Sequence, residues 1–318
     1  MSIIMLVLGF LFLIKGADLF VEGASQIARK FNIPSMIIGL TIVAMGTSAP
    51  EASVSITSSL AGQNDMAVAN IVGSNFFNIL IVLGISSMIA PLPIEKNTIK
   101  KDMPFLIFVS IMMLLFAHDL DITRVEGILL GIVFIMFLVN MVKSAKQVTD
   151  KEDEVLETAI DIDVIAKESE ISITKTILVS AVGIVGIVIG GDMVVNGATS
   201  IAQALGMSAN LIGLTIVAIG TSLPEFVTSV MATKKGETEI AIGNVVGSNI
   251  FNILLILGLA ATISPISISF IAFIDVMFML LITLLLFVFM KKQSHLTKSQ
   301  GIIFVVMYVV YMTYTIIR

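Results

Sequence analysis

An ungapped offset of 174 residues lays one half of this 318-residue chain on the other, and no other feature limits its possible folds so severely. Gly39 to Glu51 reads GLTIVAMGTSAPE and Gly213 to Glu225 reads GLTIVAIGTSLPE, 11 identities in 13. Gly73 to Leu80 (GSNFFNIL) and Gly247 to Leu254 (GSNIFNIL) agree at 7 of 8 positions. Asp18 with Asp192, Gly23 with Gly197 and Gly84 with Gly258 fall on the same offset. Agreement of this kind, in order and without gaps, marks a duplication rather than shared apolar composition.

The duplicated unit is apolar almost throughout. Hydrophobic residues make up 57% of the chain, charged residues 13%, and mean hydropathy is +1.06, more apolar surface than a soluble core can hide. A membrane-crossing helix needs roughly 20 mainly apolar residues. Per half, the pattern predicts helices over Ser2 to Ala28, Ser35 to Leu60, Asp65 to Ile89, Met103 to Ala117 and Arg124 to Lys143, repeated from Ile173, Ser208, Glu239, Phe270 and Gln300. The expected fold class is an all-α polytopic membrane protein with ten transmembrane helices, in two five-helix repeats (1–143 and 173–318) joined by a linker (144–172). Five is odd, so the second repeat must enter the membrane from the opposite side. The first 14 residues carry no basic leader or small-residue cleavage site, which predicts an uncleaved first helix. Cysteine is absent, which excludes disulfides and thiol chemistry.

Basic residues of short loops collect on the cytoplasmic side of a membrane. Loops after the first, third, fifth, seventh and ninth predicted helices hold 15 of the 18 Lys and Arg. The expectation is a multi-pass cell-membrane protein with both termini outside and the central loop cytoplasmic. Equivalent loops carry opposite charge character: Arg29 and Lys30 align with Gln203 and Ala204, and Lys234 and Lys235 with Leu60 and Ala61. The linker has nine acidic residues against three Lys and lacks the ligand spacing of an EF-hand, so it reads as a solvated connection.

Glu51 and Glu225 fall near the centres of apolar segments, where a charge costs roughly 3 kcal/mol on insertion scales and marks function by default. Ala44, Thr47, Ser48 and Ser55 lie at offsets of −7, −4, −3 and +4 from Glu51, one helical stripe; Ala218, Thr221, Ser222 and Ser229 repeat it about Glu225. Pro50 and Pro224 precede the glutamates, and their rings push on the carbonyls of Gly46 and Gly220, so helix breaks are expected there, with carbonyls near Ala44 and Ala218 turned toward an ion. Ser74 and Asn78, like Ser248 and Asn252, are four apart and present two oxygens on one face, whereas Asn75 and Asn249 point about 100° away and suit bonds between helices. Every candidate is an oxygen donor, which suits hard cations such as calcium and sodium and not zinc, copper or iron. Ser55, Ser229, Thr41 and Thr215 fit ordinary bonding to backbone or neighbouring helices. Asp18 has Lys15 on the adjacent turn as a ready partner, or a role of its own with Asp192. The spacings Gly127 to Gly131 and Gly186 to Gly190 fit close helix packing, and His118 and His295 fall in loops.

The two GTSxPE segments, each followed by GSNxFN, resemble the paired repeats of the cation/calcium exchanger superfamily, in its sodium/calcium exchanger branch. The resemblance covers the whole chain. It implies antiport in which sodium entry drives calcium out, with a site shared by both halves, no cofactor, and a monomeric transport unit whose partners are the two ions and the lipid bilayer, not nucleic acid. By motif position Glu51 and Glu225 would be central ligands. Thr47, Thr221 and the carbonyls of Ala44 and Ala218 would add oxygens, and Ser48, Ser74, Asn78, Ser222, Ser248 and Asn252 would complete the sodium sites. The first and sixth helices would slide past a fixed core. Potassium-dependent relatives carry Asp at the place of Asn252, so the match is to the potassium-independent pattern. A proton/calcium antiporter is the nearest alternative, although its motif differs from GTSxPE. An intramembrane aspartyl protease, suggested by Gly190, Gly191 and Asp192, fails because Ile189 and the equivalent Asp18 do not fit its motif. A cation channel is disfavoured by an inverted repeat with proline-broken helices.

Overall fold

The computed structural model describes residues 2–62, 64–156, 172–206 and 218–317. Over these the chain is helical: α1 (Ser2–Lys30), α2 (Ser35–Thr47), α3 (Ala49–Leu60), α4 (Met66–Ile89), α5 (Met103–Phe116), α6 (Arg124–Leu156), α7 (Ile173–Ala204), α8 (Ala218–Thr221), α9 (Leu223–Lys234), α10 (Thr238–Ile263), α11 (Phe270–Lys292) and α12 (Lys298–Ile317). The helix expected from Ser208 begins outside the described residues, as does Thr215. Among the described residues, six helices are long and apolar enough to cross a membrane, and α2 with α3, bent by 50° at their junction, make up to a seventh.

Local chemistry sets several boundaries. Thr123 and Glu126 cap α6 reciprocally, the Thr123 N–H donating to Glu126 Oε2 at 2.7 Å and the Glu126 N–H to Thr123 Oγ1 at 3.3 Å. Thr297 and Gln300, one repeat later, do the same for α12 at 2.9 and 3.3 Å, which starts that helix at Lys298 rather than at Gln300. The break between α2 and α3 falls at Ser48 (φ −81°, ψ 8°), and Pro50 sits in the first turn of α3, where its missing N–H costs nothing. Ser222 (φ −89°, ψ 4°) and Pro224 repeat the arrangement ahead of α9.

The inner layer is α4 and α10, whose most apolar stretches are 78% and 94% buried, against 22–33% for α1, α6, α7 and α11. Their large side chains, among them Ile71, Phe76, Leu80, Ile250 and Leu254, form one core drawn from both halves. The outer helices turn Ile132, Ile135, Val306 and Val310 away from the protein, an apolar belt that suits hydrocarbon. The chain is a helical, multi-pass membrane protein.

α1 and α7 pack antiparallel at backbone contact. A Cβ added to Gly9 would fall 2.9 Å from the Gly190 carbonyl oxygen, one on Gly16 2.7 Å from that of Gly183, and one on Gly197 3.0 Å from that of Ser2. The expected close packing at Gly186 and Gly190 is part of this seam, which extends over six glycines spaced seven apart: Gly9, Gly16 and Gly23 on α1, and Gly183, Gly190 and Gly197 on α7. Gly127 packs in the same manner, its added Cβ 2.8 Å from the Gly258 carbonyl oxygen.

Three expectations need correction. The fold is not wholly helical: β1 (Leu92–Pro93) pairs antiparallel with β4 (His295–Leu296), and β2 (Asp121–Ile122) with β3 (Ile266–Ser267). Each ribbon satisfies backbone groups of two loops that meet at one end of the bundle. The fifth helix, expected to end at Lys143, runs on to Leu156 as α6; residues such as Lys146, Glu152 and Glu154 are good helix formers, and solvation does not interrupt a helix already nucleated. Asp18 is not paired with Lys15 but with Lys235, at 2.7 Å, at the end of α9; Arg29 and Ser25 of α1 likewise reach Glu237.

Candidate functional site

Glu51 and Glu225 occupy the first turns of α3 and α9 and are fully buried. A helix start favours a carboxylate there, through the partial positive charge of its free N–H groups. The two glutamates are held crosswise. Ser48 of the first half donates to Glu225 Oε1 at 2.8 Å, and Ser222 of the second half donates to Glu51 Oε1 at 3.0 Å. Ser248 adds a bond to Glu225 Oε1 at 3.3 Å, while the equivalent Ser74 hydroxyl is buried beside Glu51 without closing a hydrogen bond.

The amides cross in the same way. Asn78 donates through Nδ2 to Asn249 Oδ1 at 3.1 Å, and Asn252 to Asn75 Oδ1 at 2.9 Å. Asn75 and Asn249 thus bond between helices. Asn78 and Asn252 each open a π-helical turn, 78–83 and 252–257, in otherwise α-helical segments. Such turns are rare and frequent at functional sites, because the wider loop of backbone turns a side chain out of register.

Four buried acceptors at these residues have no partner: Glu51 Oε2, Glu225 Oε2, Asn78 Oδ1 and Asn252 Oδ1. They come in two pairs related by the 174-residue offset. A buried acceptor without a donor is costly, and four on so few residues are what a cation ligand set looks like. Among the described residues no three His, Asp or Glu side chains gather into a metal site. A cation here has two carboxylates for charge and must complete its shell with neutral oxygens.

Thr47 is buried, with its hydroxyl 3.0 Å from Asn244 Oδ1, 3.1 Å from the Val43 carbonyl and 3.4 Å from that of Ala44. The Ala44 carbonyl also accepts the Ser48 N–H at 3.0 Å, so one of its lone pairs is engaged within the helix. Thr221 donates to Asn70 Oδ1 at 3.3 Å. Ala218 is the first residue of α8. Thr41 bonds its own backbone, at 2.6 Å to Ile37. Ser55 and Ser229 accept from Asn70 and Asn244, each at 2.9 Å.

Those two asparagines were not singled out from the sequence. Asn70 and Asn244 are buried in α4 and α10, at the same offset of 174, and touch the glutamate segments directly. The signal was there: a polar side chain kept in both copies of an apolar segment, one turn before Ser74 and Ser248.

The family model described as "Sodium/calcium exchanger protein" matches residues 1–143 and 175–317. The chain belongs to the sodium/calcium exchanger protein family. It is therefore a transporter of the exchanger type and not an enzyme. The chain is similar to sodium/calcium exchanger MaX1 of Methanosarcina acetivorans, 31% identical over 98% of this chain and 97% of that one. It is 36% identical to inner membrane protein YrbG of Escherichia coli over 82% and 79% of the two. Its fold resembles the solved structure of the sodium-calcium exchanger NCX_Mj soaked with sodium and calcium, at a TM-score of 0.85, 30% identity, and coverage of 98% and 97%.

Proposed function

We propose that this protein exchanges sodium for calcium across the cell membrane by alternating access, through a site near the membrane midplane to which both halves contribute. The observation that carries this reading is the crosswise pair of buried glutamates with their unpartnered oxygens. Two carboxylates supply a charge of −2, which one calcium ion or several sodium ions satisfy, so the two cargoes compete for the same oxygens. Crossing empty would leave two like charges facing each other in low dielectric, which disfavours uncoupled movement. The proposed ligands are Glu51, Glu225, Thr47, Thr221, Ser48, Ser222, Ser74, Ser248, Asn78 and Asn252, with the carbonyls of Ala44 and Ala218.

We read the chain as ten spans in two inverted repeats, 1–143 and 173–318, with the acidic segment between them cytoplasmic. The antiparallel course of α1 and α7, which begin the two repeats, supports inversion. The ribbons support the loop sidedness. One joins the segments before α5 and before α12, both basic and read as cytoplasmic, and the other joins two segments read as external. The names carried by MaX1 and NCX_Mj agree with sodium and calcium as cargo.

Proteoliposomes loaded with sodium and diluted into sodium-free medium with labelled calcium test the exchange. Calcium uptake is expected from the outward sodium gradient alone. Uptake driven by a pH gradient with sodium absent would replace this reading by proton/calcium antiport. Glu51→Gln and Glu225→Gln are each expected to abolish uptake, and transport retained in either variant would refute a shared site.

A further inference from the structure

Resting on the reading of this site as ion-binding, we propose that Asn244 and Asn70 are positioning residues. Each takes up the hydroxyl hydrogen of a threonine on the opposite half, Thr47 or Thr221, and so leaves that threonine's oxygen and the neighbouring carbonyls to the cation.

A threonine hydroxyl has one hydrogen and two lone pairs. In an apolar helix that hydrogen ordinarily goes back to the carbonyl three or four residues earlier. Thr41, Thr233, Thr283 and Thr313 do this, at 2.6 to 2.9 Å. Thr47 has the same carbonyls within reach, at 3.1 Å (Val43) and 3.4 Å (Ala44), and at 3.0 Å an acceptor from the other half of the protein, Asn244 Oδ1. One hydrogen cannot serve all three.

The Asn244 amide is locked so that its oxygen faces Thr47. Its Nδ2 lies 3.3 Å from the Glu225 carbonyl oxygen and 2.9 Å from Ser229 Oγ. A carbonyl only accepts, so the amide nitrogen must face α9, and Oδ1 is left pointing across to Thr47. Asn70 repeats every part of this: Nδ2 to the Glu51 carbonyl at 3.3 Å and to Ser55 Oγ at 2.9 Å, and Oδ1 to Thr221 at 3.3 Å. Both asparagines are buried in the most enclosed helices of the bundle, and neither carries an unpartnered oxygen. They differ in this from Asn78 and Asn252, whose free Oδ1 atoms mark them as ligands. The same contact joins the halves: the carbonyl of one proposed ligand (Glu225) and the hydroxyl of another (Thr47) are fixed to a single planar group.

The test is a double-mutant cycle on Asn244→Leu and Thr47→Val, read as half-saturating calcium for sodium-driven uptake and as the calcium concentration that half-maximally raises the melting temperature in detergent. Asn244→Leu alone is expected to weaken calcium about tenfold in both readouts with little change in maximal rate, the scale of one hydrogen bond's effect. In the Thr47→Val background, where no hydroxyl remains to be drawn away, the same change should weaken calcium by less than about twofold. Asn244→Ala, which removes the same oxygen with less bulk, should give the same cycle if Asn244→Leu does not fold. Effects that multiply in the double variant, or a loss confined to maximal rate, overturn the proposal. The two readouts separate its failure from that of the transport reading. If wild-type protein shows calcium-dependent melting but no sodium-driven uptake, the coupling ion is wrong while the cycle still decides the role of Asn244.

Discussion

Gly16→Ala puts the antiparallel seam between α1 and α7 to the test. The new methyl would lie 2.7 Å from both the Gly183 carbonyl oxygen and the Ile187 nitrogen, where ordinary contact begins at 3.4 Å, so the misfit is about 0.7 Å. Both obstacles are backbone, and no rotamer change relieves them; the helices must separate along several turns. Overpacking of this kind costs about 1–3 kcal/mol, partly offset by the up to about 1 kcal/mol that alanine gains over glycine in a helix. The net expectation is a loss of roughly 1–2 kcal/mol, seen as a fall in melting temperature in detergent. Gly131→Ala is the control, since nothing lies within 4 Å of the methyl it would add, and that variant should melt at or slightly above the wild-type temperature. A Gly16→Ala protein that melts like the Gly131→Ala protein would show that the seam is not close-packed. Turnover gives a second readout: if α1 and α7 move together against the core, widening their contact should slow uptake without changing half-saturating calcium.

Ser48→Ala and Ser222→Ala each remove a hydrogen bond to a buried carboxylate, and each should raise half-saturating calcium about tenfold or more, since bonds to charged groups contribute about 1.5–3 kcal/mol; equal affinity to wild type would mean that the crosswise bonds do not shape the site. The Lys235 to Asp18 pair is part-exposed, with side chains 28% and 32% accessible, so Lys235→Ala should cost under about 1 kcal/mol in melting and less still in high salt. Asp102, just before α5, has its carboxyl raised to about 6 by burial and then by Glu95. The folded protein therefore holds this proton more tightly than the unfolded chain, and stability from this group falls as pH rises from about 4 to about 6. Asp102→Asn should raise the melting temperature near pH 8 and leave it unchanged near pH 4; a gain at both would assign the effect to something other than ionisation.

The helices were legible because hydropathy in a membrane chain reports length and order directly, and because the repeat let each half check the other. The glutamates, serines and threonines were legible as polar positions repeated in apolar segments, but not their grouping, since the breaks at Ser48 and Ser222 put Thr47 and Thr221 on separate helices from Glu51 and Glu225 and so divide the single stripe that helical spacing predicts. What spacing on one helix cannot show is a bond to another. Ser48 reaches Glu225 rather than its own half's glutamate, and nothing in either stripe distinguishes the two outcomes. Asn70 and Asn244 escaped notice because in isolation each is a lone amide in an apolar stretch, and its three partners lie on two other helices. The π-helical turns at Asn78 and Asn252 carry no composition signal, since residues 78–83 and 252–257 read as ordinary apolar helix after the asparagine. The run of α6 past Lys143 was missed because the end of an apolar stretch marks where a helix leaves the bilayer, not where it stops.

The glycine seam has one more consequence. Gly9 and Gly16 of α1 meet Gly190 and Gly183 of α7, while Gly23 packs on Ser180 and Gly197 on Leu6, so the same positions of the repeat are presented twice. A surface that recognises its own copy turned end over end is the isologous contact of a two-fold dimer. The single chain thus carries inside it the kind of interface that two half-length subunits packed antiparallel would share. Because that contact is self-complementary, if the pair shifts as the proposed exchange requires, shifts in opposite directions are the same movement with the partners exchanged, and neither end state would need contacts that the other lacks.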